Sequence, residues 1–81
     1  SVLESAYHDE QLALERRNYL LGTGVRGVFI RTADLGSQGV WHRVLIGSYE
    51  TLESAKRFKE TLFNNFGLQN LQIIKDDNIL E

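Results

Sequence analysis

The sequence predicts an α+β domain of the split βαβ kind, a four-stranded antiparallel sheet with both helices on one face, and three observations carry that reading. The chain repeats itself: Val2-Leu3, Tyr7, Ala13, Leu20 and Gly24 recur in order as Val44-Leu45, Tyr49, Ala55, Leu62 and Gly67, with one residue gained before the second glycine. Each copy reads as strand, helix, glycine turn, strand, a unit that cannot bury its own apolar face but can close over a shared core with a second copy. Right-handed crossovers then fold the order strand, helix, strand, strand, helix, strand into this arrangement. Finally, 81 residues suffice for one small domain and no second core. The domain is expected over residues 1–76, with 77–81 a disordered tail or vector-derived residues.

The elements follow in order. Val2 to Ser5 reads as a short strand, and His8 or Asp9 caps a helix running to about Leu21. Leu12, Ala13, Leu20 and Leu21 lie close to helical spacing, with Glu15, Arg16, Arg17 and Asn18 for the wet side. Gly22 and Gly24 stop that helix. Arg26 to Arg31 is the second strand, Ala33 to Gly39 has the composition of a hairpin loop, and Val40 to Ser48 is the third strand. Thr51 offers an N-cap hydroxyl to a second helix that lines up Leu52, Ala55, Phe58, Leu62 and Phe66. Gly67 ends it, and Leu68 to Lys75 is the fourth strand.

Two helices on one side leave the other face of the sheet bare. Along the third strand, alternation separates His42, Val44 and Ile46 from Trp41, Arg43 and Leu45. The β-branched pair belongs under the helices, so Trp41, Arg43 and Leu45 look outward. On the second strand Val28 and Ile30 are expected inward and Phe29 and Arg31 outward, the alternative being Gly27 and Phe29 inward; a slip of one residue exchanges the two sets. Ser5 and Gln72 are further outward candidates. The expected result is a shallow aromatic and basic platform.

Composition narrows the function. The chain is 42% apolar and 25% charged, and no apolar run approaches the roughly 20 residues of a membrane helix or the core of a signal peptide. It has no cysteine, hence no disulfide or thiolate chemistry. A net charge of −2 argues against a generic nucleic-acid binder. His8-Asp9-Glu10 is better explained by helix capping than by metal ligation, because three consecutive residues rarely converge on one ion. His42 falls on the core side with no nucleophile or second carboxylate beside it. Gly22-Thr23-Gly24 follows a helix, whereas a phosphate-binding fingerprint follows a strand and opens a helix. The size and these absences favour a binding module over an enzyme, with no cofactor and no metal.

The run Trp41-His42-Arg43-Val44-Leu45-Ile46-Gly47-Ser48-Tyr49, with Ser54-Ala55 beyond it, resembles the second half of a SPOR domain, the sporulation-related repeat of bacterial envelope proteins. That pattern is an aromatic, then Arg-Val, an apolar-flanked glycine, a proline or serine, an aromatic, and an alanine in the following helix. Ser1 to Gly24 looks like a divergent first half: the family's Val-Gln-Val-Gly-Ser-Phe stands here as Val2-Leu3-Glu4-Ser5-Ala6-Tyr7, without the glycine and the outward glutamine, and with Glu4 at a usually apolar position. The resemblance implies a ferredoxin-like fold that binds peptidoglycan, favouring glycan strands stripped of stem peptides, through the open sheet face. It also implies a location in the bacterial cell envelope and a targeting role in cell division, wall remodelling or sporulation. On that footing Trp41 stacks on a sugar, Arg43 or Arg31 meets a carboxylate, and Phe29, Leu45, Ser5 and Gln72 complete the contact surface. Neither nucleic acid nor membrane is an expected partner, and a monomer suffices. The rivals are a ferredoxin-like interaction or dimerisation domain and an RNA-recognition-like domain, in which aromatics on the same sheet stack bases.

Overall fold

A computed structural model describes every residue of the chain except Asp76, Asp77 and Glu81. Strand β1 (Val2–Tyr7) leads into helix α1 (Glu10–Gly22), then β2 (Val28–Asp34), a single 3₁₀ turn (Gly36–Gln38), β3 (Val40–Ile46), helix α2 (Leu52–Phe66), β4 (Gln72–Lys75) and the two-residue β5 (Asn78–Ile79). The sheet order is β2-β3-β1-β4-β5 and every pair is antiparallel. The split βαβ expectation holds, with one strand more than expected. Asn78 and Ile79, expected in the tail, pair with Lys75 and Ile74, and the Leu80 amide donates to the Ile73 carbonyl at 2.7 Å. Asp76, the last residue of the expected domain, and Asp77 and Glu81 of the expected tail lie outside the described residues.

Local chemistry sets the helix ends. The Asp9 carboxylate accepts from the Gln11 amide at 2.8 Å, and the Thr51 hydroxyl accepts from the Ser54 amide at 3.1 Å, so both helices start on side-chain caps. At the other end of α2, Gly67 takes the left-handed conformation (φ 69°) and its amide donates to the Phe63 carbonyl. The chain leaves α1 through Thr23, whose hydroxyl donates to the Leu20 carbonyl at 2.8 Å, followed by Gly24 at φ 101°.

The main core lies between sheet and helices. Val2, Val28, Val44 and Ile46 supply the sheet side, Ala13 and Leu20 come from α1, Leu62 from α2, and Val25, Leu68 and Leu71 close the ends. The buried stripe of α1 is narrower than the spacing predicts: Ala13 and Leu20 are buried, whereas Leu12 and Leu21, on either flank, are 47% and 46% exposed. On α2, Leu52 and Phe66 are likewise exposed flanks of a stripe centred on Ala55 and Leu62.

Arg16, expected on the wet side of α1, turns inward instead. Its Nε donates to both Glu4 carboxylate oxygens at 3.1 Å and its Nη2 to Oε2 at 2.5 Å. Glu4 thus sits under α1 with its side chain only 7% exposed. The strand bulges there: Leu3 pairs with Leu45, and the next pairing is Ser5 with Val44.

Candidate functional site

Register decides which side chains share the face away from the helices, because directly paired residues point the same way. Leu45, Leu3 and Ile74 form a second small cluster with Phe29 packed against it, separate from the helix-side core. Phe29 pairs with Leu45, Arg31 with Arg43, and Ala33 with Trp41. Phe29 and Arg31 therefore stand on the open face while Val28 and Ile30 join the helix-side core, the first of the two registers the sequence allows. Gln72, paired with Leu3, extends the same face across β1 to β4 and is exposed.

Two expected members need correcting. Ser5 does not belong to this face: the bulge at Glu4 pairs it with Val44, on the helix side, and its hydroxyl donates to Glu4 Oε1 at 2.6 Å. Leu45 points the right way but is 0% exposed, since Phe29, Leu3 and Ile74 close over it. It is the floor of the platform and offers no surface to a ligand.

The remaining residues differ in reach. Arg31 is exposed, with its Cζ 5.8 Å from the Phe29 ring centroid. Arg43 is 7% exposed, a guanidinium set into the face. Both arginines have interaction partners within the molecule, and their direct pairing makes this the most basic spot on the sheet. Trp41 is half-buried and carries the ring of His8 against it, centroids 3.5 Å apart and planes inclined at 36°. His8, read from sequence as a cap or a metal decoy, was missed as a neighbour of Trp41. Its signal was the position itself, one step beyond the Tyr7–His42 pair that ends the β1–β3 ladder.

Below Arg31 the face runs into a groove of about 410 Å³ lined also by Ser48, Tyr49, Leu52, Ile74 and Lys75. Burial pushes the Tyr49 phenol up to about 12. Its ring packs on Phe58, centroids 4.9 Å apart, and crosses the space where Gly47 would carry a Cβ. On the opposite side of the sheet, His42 shares a hydrogen bond of 3.0 Å with the Thr32 hydroxyl, part of the strand lattice.

The open face of the sheet thus brings aromatic and basic side chains together over a buried apolar floor. The SPOR domain family model matches residues 5–70, and the chain belongs to that family. SPOR domains are bacterial peptidoglycan-binding modules, typical of cell-division and sporulation proteins, and their ligand places them at the extracytoplasmic side of the envelope. No curated protein and no solved structure matches the chain.

Proposed function

We propose that this domain binds glycan strands of the cell wall, stripped of their stem peptides, through the open face formed by β2, β3, β1 and the start of β4, and that it targets a parent protein to sites of division, remodelling or sporulation. The observation that carries this reading is the juxtaposition, inside the family-matched span, of Trp41 and Phe29 with two directly paired arginines. A sugar ring presents a patch of C–H bonds that lies flat on an indole. Guanidinium groups suit the lactyl carboxylate of a muramic acid freed of its peptide. Arg31 is the arginine a ligand reaches first, because it is exposed; Arg43, set into the face, supplies positive potential from below. Gln72 offers an amide for acetamido or hydroxyl groups at the far side.

Contacts of this kind are individually weak and spread along a polymer, so the affinity is expected in the micromolar range, about −8 kcal/mol. The test is co-sedimentation with isolated cell-wall sacculi before and after an amidase has removed stem peptides. Binding should increase after amidase treatment, and Trp41→Ala should weaken it by about tenfold while leaving the melting temperature close to that of the parent. A folded Trp41→Ala domain that binds as well as the parent would remove the platform from the account.

A further inference from the structure

We propose that His8 is a positioning residue for Trp41, holding the indole in a single pose and leaving one of its faces for the sugar. The inference rests on the proposed glycan-binding role of Trp41 for its effect on binding, but not for its effect on the indole itself. The ring of His8 lies 3.5 Å from that of Trp41, centroid to centroid, inclined at 36°. It is fixed from behind: Nδ1 is 3.1 Å from the Val40 carbonyl oxygen. A carbonyl only accepts, so Nδ1 donates this bond, which fixes the orientation of the ring. Gly39, at φ 86°, lies beside the histidine ring, where a Cβ would stand 3.7 Å from His8 Cε1, an ordinary contact distance.

An exposed histidine just past the end of β1 has no core to fill and caps nothing, since Asp9 makes the capping bond to α1. What it contacts is the backbone carbonyl of Val40 and the ring of the next residue. A half-buried indole without such a neighbour would lose rotamer freedom on binding a sugar; an indole already stacked has lost it beforehand, which lowers the entropic cost of association.

Trp41 is the sole tryptophan of the chain, so indole emission reports on this position with no contribution from another tryptophan. The experiment compares the parent with His8→Ala, His8→Phe and Trp41→Ala, using time-resolved fluorescence anisotropy of the unliganded indole and co-sedimentation with amidase-treated sacculi. His8→Ala should add fast indole motion and weaken binding about three- to tenfold, and His8→Phe, which restores a stacking ring, should recover both. Unchanged anisotropy in His8→Ala would overturn the inference, whatever the binding result. Where the parent binds and Trp41→Ala weakens binding, so would binding by His8→Ala as tight as or tighter than the parent's, since the histidine would then be idle or standing in the sugar's place. If Trp41→Ala binds like the parent, or the parent does not bind, the platform reading fails, and the anisotropy still decides whether His8 positions the ring.

Discussion

The two repeats solve one packing problem with opposite chemistry. In the second, Ile46 at the end of β3 is fully buried and Phe58 packs against the same core from α2. The corresponding positions of the first repeat hold Glu4 and Arg16, joined by a forked ion pair between β1 and α1. The two copies thus place different residue types at both matching positions within the same strand-and-helix arrangement. The difference teaches that a repeat conserves the contact between strand and helix rather than the kind of residue making it. It also shows why the first strand bulges where the third runs straight: a carboxylate must be aimed at a guanidinium, and Ser5 turns with it to add a fourth hydrogen bond to that carboxylate.

Breaking one partner is the most direct way to break the comparison. Arg16→Ala leaves a carboxylate with a 7% exposed side chain facing the core and should lower stability in chemical denaturation by about 2–3 kcal/mol. Glu4→Ala should cost less, because Arg16 is 31% exposed and can turn to water. The double change Glu4→Ile with Arg16→Phe transplants the second repeat's solution and should return to within about 1 kcal/mol of the parent. A double variant as unstable as Arg16→Ala would mean that the bulge, rather than the pair, is what the first repeat requires.

The next pair of corresponding positions sharpens the point. Ser5 lies within β1, while its counterpart Gly47 follows β3 at φ 71°, its amide donating to the Gly27 carbonyl at 3.0 Å. A Cβ on Gly47 would fall 2.7 Å from Tyr49 Cε2 and Cζ, so Gly47→Ala combines left-handed strain with a ring collision and should cost about 2 kcal/mol in thermal or chemical unfolding. Ser5→Ala should cost under about 1 kcal/mol. Equal costs would show that the glycine is not needed for the close approach of Tyr49.

The smallest effect is confined to alkaline pH. Tyr49 titrates near 12 in the folded protein against 10 when exposed, because burial favours the neutral phenol. The folded state then holds its proton where the unfolded state has lost it. Its contribution is complete below pH 10 and disappears as pH rises through about 12. Tyr49→Phe should flatten the fall in melting temperature across that window; an unchanged slope would assign the fall to other groups.

Much of this was legible in the chain. The repeat, the caps at Asp9 and Thr51 and the stop at Gly67 depend on local chemistry, and the structure uses them where spacing placed them. Alternation also separated Trp41 and Arg43 from Val44 and Ile46, because β3 pairs with β2 without interruption and the extra residue of the β1–β3 bulge lies in β1. What escaped was non-local. A bulge leaves no mark in the alternation, so the side taken by Ser5 could not be read, nor could the inward turn of Arg16 toward a carboxylate twelve residues earlier in sequence. Leu45 was read correctly for direction and wrongly for access, since its cover comes from three other strands. Strand β5 is two residues long, below the length at which a pattern exists.

The position of β3 within the sheet carries a further consequence. It is flanked by β1 and β2: Arg43 is held by backbone ladders on both sides and Trp41 by its pairing with Ala33 of β2, and neither lies on a loop. Amides of such a strand exchange with solvent only when the whole domain opens. The capacity to hold a ligand and the folded state are then one cooperative quantity: binding should vanish over the same narrow temperature interval as the fold, with no partly open form that retains either.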